Sequence, residues 1–320
     1  MMKPTYYACR LGRRPAKQGP RSVLQSQDTD EKCATGDKTC LNLKEVKYIG
    51  TWNVRTLYKT GQLDILLHQL SSYKWSIVGL SEIRWTGNGE LTKDDCKIIY
   101  SGRKDDVHQE GVAILCSKEA SRALMGYKPI SSRIVKARFQ LQHTNLTVFQ
   151  VYAPTANARD EDIDEFYADL QQEIDEVPSQ DMMMILGDWN AKVGKNWRAW
   201  HGALGKFGYG EENERGEKLL NFCLNNNLVI ANTMTYKRKA KHQWTWESPD
   251  GVTKNQIDYV LVNKKWRTSI TSCRAFPGAD IGSDHQLLLA GARIKLKRQR
   301  LQKKVKRFNI SKLKDNLIKD

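Results

Sequence analysis

Absences narrow this 320-residue chain first. No apolar stretch approaches the length of a membrane span. The amino terminus, opening Met1-Met2-Lys3-Pro4 and polar through residue 40, lacks the apolar centre of a signal peptide. Its seven cysteines, Cys9, Cys33, Cys40, Cys96, Cys116, Cys223 and Cys273, are odd in number and scattered. With no Cys-x-x-Cys pair and no ordered Cys/His cluster, neither a disulfide framework nor a structural zinc site is expected. Zinc-finger and helix-turn-helix patterns are also missing. These absences fit a soluble protein of a reducing, intracellular compartment with no membrane association.

Charge is abundant and unevenly placed. Of the net +16, residues 291–320 hold 12 Lys and Arg against 2 Asp and Glu, residues 1–46 hold 9 against 5, and the remaining body 31 against 29. A near-neutral body with a cationic carboxyl-terminal extension predicts attraction to nucleic acid or to a nuclear import receptor, and the charge count does not choose between them. A nuclear location follows from either, with the cytoplasm as the alternative. Residues 1–45, rich in Arg, Lys, Gly, Ser and Gln without sustained period, are expected to be a disordered leader. Residues 46–290 contain no linker and no repeat and are expected to form one catalytic domain, residues 291–320 a basic tail, and the whole a monomer.

Within 46–290, apolar runs end repeatedly on polar islands. Val46–Trp52 reads as a strand running into Asn53, and Leu63, Leu66, Leu67 and Leu70 mark a helix. Ile77–Leu80 leads to Ser81-Glu82, and Leu146–Val151 to Tyr152-Ala153-Pro154. Lys97–Tyr100, Gly111–Cys116 and Ile134–Phe139 are further strands, and Asp160 is placed to cap a helix that Pro178 ends. The unbroken run Met182–Leu186 predicts a strand covered on both faces, its methionines packing rather than ligating, and it delivers Gly187-Asp188-Trp189-Asn190. A helix around Glu217–Leu224 and strands at Leu228–Ala231, Gln243–Glu247, Ile257–Val262 and Gln286–Ala290 complete the pattern, which points to two packed sheets with helices outside. Acid, amide, phenol and imidazole groups at strand exits are what a metal-assisted phosphoryl-transfer site requires and packing does not.

Taken in order, Trp52-Asn53, Ser81-Glu82, Tyr152-Ala153-Pro154-Thr155, Gly187-Asp188-Trp189-Asn190, Thr245-Trp246, Gln256-Ile257-Asp258-Tyr259 and Ser283-Asp284-His285 resemble the endonuclease/exonuclease/phosphatase family. The chain looks most like the apurinic-type endonuclease domains of non-LTR retrotransposons and domesticated proteins derived from them. That resemblance implies an α/β fold, a four-layer α-β-β-α sandwich. It also implies a Mg2+-dependent endonuclease, with Mn2+ as a substitute, nicking DNA to leave 3′-hydroxyl and 5′-phosphate ends.

Carried over residue by residue, the resemblance makes Glu82 the principal metal ligand, with Asn53 helping to hold metal or phosphate. Asp188 accepts a proton from the attacking water and Asn190 orients it; as residues two apart they also fit an ordinary Asx turn. Asp258 backs His285, which faces phosphate with Tyr152, while Asp284 supports the metal or the proton inventory and Thr245 supplies a supporting hydroxyl. Arg55 departs from the repair-type pattern, which has an aspartate there; a cation argues against a second tightly held metal and against abasic-site specificity. Trp85, Asn88, Lys192, Lys195, Asn196, Trp197, Arg198 and Trp200, in polar segments after two of the strands, are candidates for gripping DNA. Two alternatives stay open on these residues: a phosphatase or 3′ RNA exonuclease of the same fold, and a chromatin or nucleic-acid-binding protein with weak catalysis.

Overall fold

Apolar alternation and continuous apolar runs become, in a computed structural model that describes residues 40–236 and 239–294, the strands of two stacked sheets. The chain lays down β1 (Lys47–Asn53), α1 (Gln62–Ser71), β2 (Ile77–Ser81), β3 (Asn88–Lys93), β4 (Cys96–Ser101), β5 (Val112–Cys116) and α2 (Lys118–Arg122). It continues through β6 (Leu124–Ser131), β7 (Ile134–Gln140), β8 (Asn145–Tyr152), α3 (Asp160–Asp175) and β9 (Met182–Asp188). A small ribbon of β10 (Val193–Gly194) and β11 (Tyr209–Glu212) precedes α4 (Glu214–Asn225), β12 (Leu228–Ile230) and α5 (Ala231–Met234). A second ribbon, β13 (Trp246–Glu247) with β14 (Lys254–Asn255), leads to β15 (Asp258–Asn263), β16 (Ile270–Phe276) and β17 (Leu287–Ala292).

One sheet runs β16-β17-β1-β2-β5-β4-β3 and the other β12-β15-β9-β8-β7-β6. Their inner faces share a core that includes Ile49, Ile77 and Ile114 from the first and Val148, Met184 and Val260 from the second. Leu66 and Leu70 of α1 cover the outside of the first sheet, while Phe166 and Leu170 of α3 and Leu219 and Leu220 of α4 cover the second. The architecture is thus the expected four-layer α-β-β-α sandwich. β9 lies between two layers as its unbroken run predicts: Met182, Met184 and Leu186 enter the inner core, Met183 and Ile185 the outer one.

Several boundaries differ from expectation. Leu41 and Leu43 are buried in the inner core, and the Leu41 N–H donates to Gln140 O, so packing begins before residue 46. Gly291 and Ala292 complete β17, and Ile294 packs on the inner core, so the sheet extends past 290. Residues 1–39 and 295–320, which carry most of the expected leader and tail, lie outside the described residues. Asp160 is the first helical residue of α3 rather than its cap, a position held by Arg159, whose guanidinium pairs with Asp162. Only Trp246 and Glu247 of the expected 243–247 strand are extended, because Ala240–His242 forms a 3-10 turn. Asn88, expected in a loop, opens β3.

Candidate active site

Sheet register gathers the polar islands at one rim. β1 and β2 run parallel with Asn53 opposite Ser81, and β8 and β9 run parallel with Tyr152 opposite Asp188. β15 pairs antiparallel with β9, so its first residue, Asp258, stands opposite Asp188, and Trp246 bridges to His285 just before β17. Four strand exits and two strand entries therefore meet around a cleft of about 450 Å3 lined by Glu82, Tyr152, Asp188, Asn190, Asp284 and His285, with Arg55, Arg84 and Lys192 as its cations. Arg55, Glu82, Arg84 and Asn190 all have positive φ (60, 55, 58 and 47°). Left-handed backbone is uncommon outside glycine and concentrates where a site holds it.

Hydrogen bonds fix the geometry. Asn53 Nδ2 donates to Glu82 Oε1 (2.9 Å) and to Asp188 Oδ2 (3.0 Å), while its Oδ1 accepts from the Arg55 N–H (2.9 Å). Asn53 thus bridges the two carboxylates, donating to both. Asp188 Oδ1 accepts from the Asn190 N–H (3.0 Å), and Asn190 Nδ2 donates to Ala153 O (2.9 Å). The Asx turn and the shared cavity are thus one arrangement. His285 Nδ1 lies 2.9 Å from Asp258 Oδ2, and Nε2 lies 3.8 Å from Asp188 Oδ2. A carboxylate only accepts, so Nδ1 carries the proton shared with Asp258.

Further bonds hold these groups in place. Thr245 Oγ1 accepts from the N–H groups of Ile257 (3.1 Å) and Asp258 (3.0 Å). Leaving such buried N–H groups unpaired costs about 1–3 kcal/mol each. Trp52 Nε1 donates to His285 O (3.0 Å), Ser283 Oγ to Asn53 O (2.7 Å) and Trp246 Nε1 to Asp284 Oδ2 (2.9 Å).

Burial sets the electrostatics. It pushes Asp188 up to about 7, with the negative charge of Asp258 acting in the same sense, against the opposing pull of His285, Asn53 and the Asn190 N–H. For His285 burial works against the charged ring, but Asp258 and then Asp188 outweigh it and lift the imidazole to about 9. Burial, then Glu82 and Asp188, raises Tyr152 well above the ordinary phenol range, so its hydroxyl keeps its proton.

Two neighbouring donor sets suit a cation. Asp188, Asp258 and His285 offer ligand atoms within 4.8 Å of one another, and Asp258 Oδ1 is buried without a hydrogen-bond partner. Beside them Glu82, whose side chain is 20% exposed, presents oxygen to the cleft and pairs with Arg84 Nη2 at 3.2 Å. Hard divalent ions favour oxygen donors with room for water, which fits the partly exposed Glu82, although Asn53 and Arg84 share its two oxygens; the triad is buried and mixed in donor type, with Asp258 Oδ1 left open.

Not every expected residue reaches this cleft. Trp85 donates from Nε1 to Leu57 O and packs edge-on against Tyr100 at 5.2 Å, and Asn88 sits on the edge strand. Trp197 packs on the outer core of the second sheet, with Arg198 and Lys206 over its ring at 5.6 and 5.2 Å. Lys195 pairs with Glu211, and Trp200 Nε1 donates to Glu212. Conversely, Arg84, Thr155, Asn213 and Asn255 line the cleft unanticipated. Arg84 and Thr155 carried a sequence signal, Arg84 two residues after Glu82 in the same polar exit and Thr155 at the end of the Tyr152-Ala153-Pro154-Thr155 motif; Asn213 arrives only through the fold.

The model of the Endonuclease/Exonuclease/phosphatase family matches residues 50–285. Craniofacial development protein 2 from Tragulus javanicus is 42% identical over 265 residues, covering 82% of this chain and 45% of that protein. The chain thus spans about half the length of the curated relatives it matches. The 3'-5' exonuclease NExo from Neisseria meningitidis superposes with a TM-score of 0.57 at 18% identity, over 77% of this chain and 100% of that one. The endonuclease domain of TRAS1, a telomere-specific non-LTR retrotransposon, gives 0.53 at 15% identity, over 78% and 100%. At such identities the likeness to these two structures is one of fold.

Proposed function

Because the chain belongs to the endonuclease/exonuclease/phosphatase family, we propose that it is a Mg2+-dependent endonuclease that nicks DNA, leaving 3′-hydroxyl and 5′-phosphate ends. The observation that carries this reading is the joining of Asn53, Glu82, Asp188, Asp258 and His285 at one rim. A divalent cation held by Glu82 beside Asp188 would neutralise charge on the phosphate oxygens.

The chain's own groups supply the rest. Asp188 takes the proton of the attacking water at a carboxylate oxygen, Asn190 offers its amide oxygen to position that water, and a new P–O bond forms as the bond to the 3′ oxygen breaks. The leaving oxygen is protonated from solvent. His285, held by Asp258, and the neutral Tyr152 hydroxyl donate hydrogen bonds to the phosphate as its charge develops. Arg55, Arg84 and Lys192 draw the backbone into the cleft. The order of the polar islands, which resembles that of non-LTR retrotransposon endonuclease domains, supports a retroelement-derived nicking activity, and the cationic 295–320 segment supports DNA association and nuclear import.

Supercoiled plasmid incubated with Mg2+ should convert to nicked circles with 3′-hydroxyl ends, and EDTA should abolish conversion. Turnover of poly(A) RNA or inositol phosphates with plasmid left intact would assign the cleft to another branch of the family. EDTA-resistant nicking would reject the metal-assisted route.

A further inference from the structure

Away from the cleft, a groove of about 560 Å3 opens where the β16 edge meets the end of α1 and the segment after α5. Four aromatic rings, Tyr48, Tyr73, Tyr236 and Phe276, line it together with three cations, Lys74, Lys239 and Arg274. Among the described residues, no Asp or Glu lines it. On the second sheet, by contrast, Lys128 and Lys136 meet Glu173 and Arg138 meets Asp181. Tyr236 packs edge-on against Phe207 at 5.6 Å yet remains 70% exposed, so its ring is open to a ligand. The Arg274 guanidinium lies 4.6 Å from the Phe276 ring centre, and Tyr73 meets the same ring edge-on at 5.6 Å, so the platform is assembled in advance. His242 Nδ1, 2.8 Å from Ala275 O, ties the segment bearing Lys239 to β16.

We propose that this groove is a second nucleic-acid site, one that takes single-stranded polynucleotide. The exposed Tyr236 ring, set among cations, can stack an unstacked base while Lys74, Lys239 and Arg274 meet the phosphates beside it; a duplex keeps its bases stacked and offers only the phosphates. The site is separate from the catalytic rim. Tyr48, at the start of β1, lines the groove, whereas Asn53 at its end serves the rim, roughly 16 Å away at ~3.3 Å per residue. The assignment does not depend on the cleft being an endonuclease.

Fluorescence anisotropy of a labelled oligothymidylate against the full chain carrying Asp188→Asn tests it without turnover. Adding Tyr236→Ala and Arg274→Ala should weaken oligothymidylate binding about tenfold or more, the loss expected of one stacked base and one phosphate partner. The salt slope should fall by about 0.7 for each phosphate that is no longer neutralised. Tyr236→Phe with Arg274→Lys should retain binding, and affinity for a duplex should hold. With Asp188 restored, the Tyr236→Ala/Arg274→Ala protein should nick plasmid at the parental rate. Undiminished oligothymidylate binding overturns the proposal. An equal weakening on duplex reduces the groove to a general basic patch and overturns it too, as does loss in the variant of nicking that the parental chain shows. Polyglutamate bound as tightly as oligothymidylate, and released by the same substitutions, would make the groove an acidic-peptide site instead.

Discussion

At the scale of single residues, the cleft combines an acceptor, a donor and a spacer within a few ångströms. Asp188→Asn keeps the shape, including a partner for the Asn190 N–H, but removes the proton acceptor. Nicking should fall by about two orders of magnitude or more while DNA binding persists, as quench-flow cleavage alongside anisotropy would measure. Near-normal single-turnover cleavage would remove Asp188 from that role. The same carboxyl supplies a pH dependence. Its folded value of about 7 stands above the ordinary 3.8, so the stability it contributes is complete below about pH 4 and is lost as pH rises through 7. His285, raised to about 9, acts in the same direction at higher pH. In metal-free buffer the melting temperature should therefore decline from pH 5 to 8, and Asp188→Asn should flatten that decline. Parallel melting curves for the two proteins would show that the buried carboxyl does not govern it.

Elements carry these residues to their places, and their fit is close. Gln150 of β8 is fully buried between the sheets and donates from Nε2 to Ser81 Oγ (2.8 Å) and Thr51 Oγ1 (3.1 Å), one layer beneath the catalytic rim. Gly79 of β2 makes room for it: a Cβ there would stand 1.7 Å from Gln150 Oε1. Gly79→Ala should cost about 1–3 kcal/mol through overpacking, read as a lowered chemical-denaturation midpoint. Gln150→Ala in the same chain should recover part of that loss, because the clash and the network share one side chain. Additive losses would show that the two positions do not compete for space. Two of the strands that escaped sequence reading, β3 and β6, share a physical cause. β3 is an edge strand with alternate residues exposed and little apolar signal, and β6, also an edge strand, carries Gly126 and Pro129 with shifted register. Edges tolerate such residues because half their backbone needs no partner strand.

Across the whole molecule, most of the net positive charge lies beyond residue 294. Residues 295–320 hold 11 Lys and Arg against 2 Asp, a net +9. Removal of those residues should reduce nonspecific DNA affinity and its salt slope while leaving the low-salt chemical step intact, as anisotropy across a salt series with parallel nicking assays would show. Unchanged affinity from low to moderate salt would deny the segment a DNA role. A cut at 291 is a different experiment, because Gly291 and Ala292 pair with both β1 and β16. That truncation should lower the melting temperature as well.

What the sequence alone determined was chemical and local: the identity and order of the polar islands, the buried character of Met182–Leu186, the amphipathic helices and the placement of charge. Those properties are carried by neighbours in the chain, and periodicity exposes them. Only the tertiary structure decided which groups meet. Asn53 and Asp188 are 135 positions apart, and the Ser283 hydroxyl reaches Asn53 O across 230. Sheet register also set Asn53 between Glu82 and Asp188, and the fold admitted Arg84 and Asn213 to the cleft and left Trp85, Asn88, Trp197 and Arg198 outside it. A strand's alternation says which faces are apolar but not which strand lies beside it; the pairing of β1 with β2, β8 with β9 and β15 with β9 is a property of the packed sheets, and it brings five distant segments to one rim.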